Sequence, residues 1–462
     1  MAGRRQRPAH PPDQRPAPKR AGRPIVAIVG RPNVGKSALF NRLVRGRISI
    51  VEDRPGVTRD RIYADATAFD RDYVLVDTGG FDPESDDPMR QGIASQVKVA
   101  LSEADAVICL LDGAIDPMPA DRQAIALLRT TKLPVLFVAN KIDNATLSHG
   151  AKGLYELGID NLLEVSALHG HGIGVLEQAI VEALPARGLE QEQEPEEGAI
   201  PRIAIVGRPN AGKSSLINRL LGEQRQLVDD KPGTTIDSVD TLYDAGGAPL
   251  ILIDTAGMRR KRSVDGGLEG LAVMQAIRAI ERSHTVVLLI DAKEGATEQE
   301  ARIAGMALDR GRALVIALNK IDLLNEAQRR AATDHAREQL NFAPWAPLQR
   351  LSVKGGQGVA TLMKTVREVT ASHRKRIGTA EVNRFFEAVL ERHPPPTSGG
   401  RSVRLYYITQ ARVAPPTFVI SSNHPERVHL SYQRYVQNQL RDHFGLTGTP
   451  VRVHYRAHRA RE

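Results

Sequence analysis

The 462-residue chain combines 41% hydrophobic with 25% charged residues, the balance of a globular protein with room for two to four domains. Its 63 Lys and Arg exceed its 54 Asp and Glu, and the excess sits at the ends: residues 1–22 hold six cations against one Asp, and residues 380–462 hold twelve Arg against six acids. Such ends suggest a polyanionic partner, nucleic acid first. The one cysteine, Cys109, excludes an internal disulfide. No membrane-spanning apolar run and no signal-peptide core are present, so a cytoplasmic location is expected.

In chain order, a proline-broken basic tail (1–22) reads as disordered. Residues 23–185 then alternate apolar runs (Ile25–Val29, Tyr73–Val76, Ala106–Leu111, Pro134–Ala139, Leu162–Val165) with helical patterns (Gln91–Ser102, Ala120–Thr130). Near-continuous Val, Ile and Leu predict a doubly wound, mostly parallel sheet covered on both faces. The stretch 186–199 is a Glu-rich linker. Residues 200–370 repeat the first architecture, a basic connector spans 371–378, and 379–462 reads α-β-β-α-β. In that last unit Val382, Phe385, Phe386, Val389 and Leu390 trace a helix face, with strands at Val403–Thr409 and Thr417–Ile420. A second helix carries Tyr432, Tyr435, Val436 and Leu440. The final strand, Val451–Arg456, alternates apolar residues with Arg452, His454 and Arg456. The fold class is thus α/β: two tandem phosphate-loop domains followed by a small α+β domain.

The duplication carries the chemistry. Gly30-Arg31-Pro32-Asn33-Val34-Gly35-Lys36-Ser37 returns as Gly207-Arg208-Pro209-Asn210-Ala211-Gly212-Lys213-Ser214, each after a strand and before a helix. Glycines there let backbone N–H groups wrap a phosphate chain, the lysine reaches the outer phosphates, and the serine binds Mg²⁺. The base is chosen by Asn140-Lys141-Ile142-Asp143 and Asn319-Lys320-Ile321-Asp322, whose carboxylates can accept from both N1–H and the 2-amino group of guanine. A buried site built on such bonds rejects the wrong base by on the order of 10⁴. Asp77-Thr78-Gly79-Gly80-Phe81 and Asp254-Thr255-Ala256-Gly257-Met258 follow their loops at a common spacing of 47 residues from loop glycine to aspartate. Asp77 and Asp254 can hold Mg²⁺ through water, and the following glycines can meet the γ-phosphate. Thr58 and Thr235 each lie 22 residues past the loop lysine and could close over Mg²⁺. Ser166-Ala167 and Ser352-Val353 offer backbone N–H groups to the guanine oxygen.

These motifs resemble the Ras-like GTPases. Two such domains followed by an α-β-β-α-β unit resemble the Der (EngA) family of bacterial ribosome-assembly GTPases, from about Arg23 to Arg456. The resemblance implies GTP hydrolysis with GTP/GDP and Mg²⁺, a KH-like third domain, and action on the large ribosomal subunit and its rRNA. A monomer without membrane attachment is expected. Ras-like enzymes place a water-orienting glutamine where this chain has Phe81 and Met258. The resemblance implies that K⁺ substitutes, held partly by Asn33 and Asn210, with Lys36, Lys213, Thr58 and Thr235 completing the catalytic set. A cation there could contribute as an arginine finger does, roughly 10³–10⁵ in rate.

The Gly445-Leu446-Thr447-Gly448 segment lies after a helix and before the last strand, and so reads as a helix cap and turn rather than the backbone clamp of a nucleic-acid-binding KH domain. RNA contact would then pass through Arg452, His454, Arg456 and Arg459, or the domain would dock on its own GTPase units. After Gly80 the chain is acidic, whereas Arg259 to Arg262 form a basic run after Gly257, which suggests different partners for the two switches. The alternative reading is an RNA-binding scaffold in which one GTPase domain holds nucleotide without turnover. A tRNA-modifying enzyme would need a further catalytic domain.

Overall fold

The computed structural model describes residues 22–44, 63–80, 93–143, 153–159, 161–185, 199–222, 240–244, 247–253, 268–396 and 402–457. The N-terminal tail but for Gly22, the Glu-rich linker but for its last residue, Thr58, Phe81, Thr235, Asp254 to Met258, the Arg259 to Arg262 run and Arg459 lie outside the described residues.

The first unit runs β1 (Ile25–Val29), α1 (Lys36–Val44), β2 (Tyr63–Ala68), β3 (Arg71–Asp77), α2 (Ile93–Glu103), β4 (Ala106–Asp112), α3 (Pro119–Arg129), β5 (Val135–Asn140), β6 (Leu162–Glu164) and α4 (Ile173–Ala183). Its sheet has the order β2-β3-β1-β4-β5-β6, parallel except for the β2–β3 pair. Strand β1 is wholly buried because helices cover both faces. Leu39, Phe40 and Leu43 of α1 pack with Leu176 and Ile180 of α4 on one face. The edge strand β2, Tyr-Ala-Asp-Ala-Thr-Ala, escaped the sequence reading: it holds no Val, Ile or Leu and buries only small alanines.

The second unit repeats this with β7 (Arg202–Val206), α5 (Lys213–Gly222), β8 (Thr241–Tyr243), β9 (Leu250–Leu252), α6 (Leu268–Arg282), β10 (Thr285–Asp291), α7 (Glu298–Asp309), β11 (Ala313–Asn319), α8 (Glu326–Gln339), β12 (Leu348–Arg350) and α9 (Val359–His373). The sheet order β12-β11-β10-β7-β9-β8 matches that of the first. Helix α9 continues into the expected connector because His373 is buried and bonded through Nδ1 to Thr449 Oγ1 at 2.7 Å.

The third unit comprises α10 (Thr379–Arg392), β13 (Leu405–Arg412), β14 (Thr417–Ser422), α11 (Leu430–Phe444) and β15 (Arg452–Ala457), in the predicted α-β-β-α-β order. Gly445 caps α11 with a left-handed φ of 62°, a conformation glycine adopts without strain. The rest of the Gly-x-x-Gly segment docks on the second unit: Leu314 N–H donates to Gly448 O at 2.7 Å, and Gly448 N–H donates to Trp345 O at 3.2 Å. Arg452 donates to Asp309 O at 2.7 Å. Arg452 thus belongs to a domain contact, which leaves Arg456 as the exposed cation of β15, beside an exposed His454 that burial, Arg452 and Arg456 hold below its ordinary pKa.

The first two units share one core. Val97 and Ala100 of α2 belong to the same buried cluster as Met274, Ile277 and Ile280 of α6. Charge fixes the register of this contact. Arg23 and Arg310 each contact both Asp65 and Glu281, a ring of alternating sign, and Arg278 donates to Asp105 at 2.7 Å. Tyr63 Oη donates to Arg302 O at 3.3 Å. Among the described residues no helix is long and apolar enough to cross a membrane.

Burial alone would raise the Glu281 carboxyl, but Arg310, Arg23 and Arg312 hold it below its ordinary value of 4.5. A depressed carboxyl contributes stability that is complete above the unfolded value and is lost as pH falls through the folded one. Glu281→Gln should therefore lower the denaturation midpoint at neutral pH, with a deficit that shrinks as pH drops below about 4.5. Arg310→Ala, which leaves Glu281 buried without its nearest partner, should cost about 3–5 kcal/mol in urea unfolding.

Candidate nucleotide sites

Both phosphate loops emerge at the carboxyl end of the strand where the sheet order reverses, β1 between β3 and β4 and β7 between β9 and β10. Ligands of open α/β sheets bind at this crevice. The Lys36 ammonium donates to Gly30 O at 2.7 Å and Arg31 O at 3.0 Å, and Lys213 donates to Gly207 O and Arg208 O, both at 2.6 Å. Each lysine thus curls over its own loop, at the first turn of α1 or α5 where helix N–H groups point outward. Burial lowers Lys36, assisted by Arg31 and opposed by Asp77. Burial raises Asp77, opposed by the Gly79 N–H, Lys36 and Ser37.

Ser37 Oγ lies 3.4 Å from Asp77 Oδ2, and Gly79 N–H donates to Asp77 Oδ1 at 3.0 Å. This serine and aspartate bring hard oxygen donors together at the loop mouth, the set that Mg²⁺ takes. Ser214 and Asn33 and Asn210 are exposed. Both asparagines have φ 65°, the left-handed region that Asn tolerates better than most residues.

The base motifs close on the loops. Asn140 Nδ2–H donates to Val34 O at 2.8 Å while its Oδ1 accepts from Ala167 N–H at 2.9 Å. Asn319 repeats both bonds, to Ala211 O at 2.8 Å and from Val353 N–H at 3.0 Å. One buried amide therefore joins the phosphate loop, the strand end and the Ser-Ala or Ser-Val turn. Ser166 Oγ–H donates to Asp143 at 2.6 Å. In the second unit the Ser352 hydrogen bond holds the Asp322 carboxyl below its ordinary value. Lys141 and Lys320, at φ 71° and 65°, turn their side chains back toward the sheet.

The structure adds residues that sequence reasoning missed. Asp112, ending β4, accepts from Lys141 Nζ at 2.8 Å, and Asp291, ending β10, accepts from Lys320 Nζ at 2.5 Å. Both pairs are 29 residues apart, a repeated spacing that was present in the sequence. Arg42 and Arg219 donate to Ala167 O at 3.0 Å and Val353 O at 2.6 Å, so α1 and α5 hold the serine turns in place. Of the expected residues, the two loops, Asp77 to Gly80, both Asn-Lys-Ile-Asp segments and both serine turns converge.

A family model described as a 50S ribosome-binding GTPase matches residues 25–141 and again 202–320. The KH-domain-like C-terminal unit of EngA bacterial GTPases matches 376–456, and the GTP-binding domain of elongation factor Tu matches 273–372. The chain is similar to a GTPase Der of Geobacter metallireducens, with 44% identity over 95% of this chain and 100% of that protein. It is similar also to a GTPase Der of Moorella thermoacetica, with 46% identity over 95% and 100%.

A Cβ on Gly35 or on Gly212 would lie 2.3 Å from Nδ2 of Asn140 or Asn319, at backbone φ of 94° and 101°. Gly35→Ala should therefore push Asn140 off the loop and weaken guanine nucleotide binding at the first site by about tenfold to a hundredfold. Gly212→Ala should do the same at the second; titration of each variant with fluorescent GDP reads both effects.

Proposed function

The chain belongs to the Der (EngA) family of GTPases, and from this we propose that it hydrolyses GTP at two sites and uses the bound nucleotide to time its binding to maturing large ribosomal subunits. The observation that carries the proposal is the doubled, closed site: two loop lysines, two base asparagines and two strand-end carboxylates, Asp112 and Asp291, in matching positions. Neither copy has lost a chemical group among the described residues, which favours two competent sites over one structural nucleotide.

In each site the loop N–H groups and Lys36 or Lys213 would bind the β- and γ-phosphates. Asp143 and Asp322 would read guanine, with Asn140 and Asn319 holding the turns that face its oxygen. Ser37 with Asp77, and Ser214 with Asp254, would hold Mg²⁺, completed by Thr58 and Thr235. Held by these residues, Mg²⁺ would supply positive charge to offset the charge that develops on the phosphates during hydrolysis. Phe81 and Met258 offer no polar group to orient water. The exposed Asn33 and Asn210, held left-handed at the loop tip, are the side chains free to add an oxygen ligand for K⁺ beside the phosphates.

The third unit supports an RNA partner in a particular way. Its Gly-x-x-Gly segment is occupied by contacts to the second unit, so rRNA would meet the exposed His454 and Arg456 and the basic tail instead. Backbone phosphate contacts of that kind are salt-dependent.

Two measurements test the proposal. In sucrose gradients of cell extract, the chain should co-migrate with the large subunit in the presence of a non-hydrolysable GTP analogue and leave it with GDP; equal migration in both would sink the timing role. The Asn33→Ala, Asn210→Ala double variant should turn over GTP at equal rates in KCl and NaCl, whereas the unmodified chain should be faster in KCl.

A further inference from the structure

The two sites share their motifs but differ in how the loop is tied to the rest of the domain. In the first, Asp112 Oδ2 faces two cations at once: Lys141 Nζ at 2.8 Å and Arg31 Nη2 at 3.3 Å. Its other oxygen accepts from Ala114 N–H at 3.1 Å, which fixes the carboxylate plane. Arg31 also donates through Nε to Asp121 Oδ2 at 3.3 Å, and that same oxygen accepts from Met118 N–H at 3.0 Å at the start of α3. Both carboxylates are buried, and the Arg31 side chain is only 13% exposed. The second site is built otherwise. Asp291 holds Lys320 and the Lys293 N–H. Arg208, 31% exposed, reaches Glu294 at 3.6 Å and, at 3.9 Å, Glu300, which caps α7 as Asp121 caps α3, but among the described residues it makes no ion pair with Asp291.

We infer that Asp112 is a positioning residue that locks the phosphate loop and the base lysine of the first site into one unit, and that the second site lacks this lock. Lys141 presents its methylene stem to the base only while its ammonium is anchored. Arg31 carries the carbonyl that receives Lys36. One buried carboxylate therefore sets both ends of the nucleotide cradle in the first unit. In the second, the base lysine and the loop arginine answer to different carboxylates, so either end can loosen alone. Nucleotide should leave the first site by a concerted opening and more slowly than it leaves the second.

The inference rests on the reading of both loops as guanine nucleotide sites. Equilibrium binding of fluorescent GDP to the unmodified full-length chain tests that reading separately, because failure to bind would end it whatever the release rates. The inference itself is tested by stopped-flow release of fluorescent GDP from full-length chains in which Lys213→Ala silences the second site or Lys36→Ala silences the first. Asp112→Asn should speed release from the first site about tenfold to a hundredfold. Adding Arg31→Gln to it should change little more, because both break one lock. In the second site, Asp291→Asn and Arg208→Gln should multiply. Multiplicative effects of Asp112→Asn and Arg31→Gln, or equal coupling in both sites, would overturn the proposal. Thermal melting of each variant separates loosening of the cradle from loss of fold. If Asp112→Asn lowers the melting temperature, Arg31→Gln alone decides: release unchanged in that variant overturns the lock.

Discussion

Each nucleotide site depends on one buried amide. Asn140 and Asn319 are the only side chains that bond both the phosphate loop and the serine turn among the hydrogen bonds described for these motifs. A carboxamide suits the task because it offers donors on one atom and an acceptor on the other. An aspartate there could not donate to Val34 O or Ala211 O, and an apolar residue would leave a buried N–H and carbonyl unpaired. The glycine beside each amide follows from the same demand, since any Cβ at Gly35 or Gly212 would occupy the place of the amide nitrogen. The loop glycines thus serve close packing as well as phosphate access.

The second constraint is that the first two units bury apolar surface against each other. Helices α2 and α6 are the first α-helices that follow Asp77 and Asp254 among the described residues, and both contribute to the common core. Apolar contact is non-directional and would tolerate several registers. The Arg23–Glu281–Arg310–Asp65 ring and the Arg278–Asp105 pair select one of them, because a displaced register would leave buried charges unpaired. The helices that follow Asp77 and Asp254 therefore meet at a contact whose apolar part supplies affinity and whose charges supply position.

The features visible in the sequence were those whose partners are local or whose pattern repeats. Strand–loop–helix order, the lysine and serine of each loop and the Asn-Lys-Ile-Asp ends are read within a few residues, and duplication removed coincidence as an explanation. The cap at Gly445 was equally local, a glycine after an amphipathic helix. What stayed hidden joins distant parts of the chain. Arg23 meets Glu281 across 258 positions, and no periodicity marks either residue. Strand β2 was hidden for another reason, since alanines at a sheet edge carry no strand signal. Asp112 and Asp291 fall between these cases: their repeated 29-residue spacing to a lysine was readable, but an aspartate closing an apolar strand has many ordinary explanations.

The two joints of the molecule differ in kind. The third unit meets the second largely through backbone groups: Leu314 with Gly448, Gly448 with Trp345, and Lys375 and Ser372 with the carbonyls of Phe444 and Gly445. His373 stands inside this joint, held well below its ordinary pKa by burial and by the neighbouring His284, Arg312, Arg374 and Arg452, and bonds Thr449 as a neutral ring. Such bonds demand one geometry and respond little to salt. The first unit meets the second through apolar side chains and ion pairs, one of which, Asp65, is half exposed. Screening acts on partly exposed pairs and spares buried neutral hydrogen bonds. The third unit is thus built as a fixed extension of the second, and the electrostatic joint lies between the first two units.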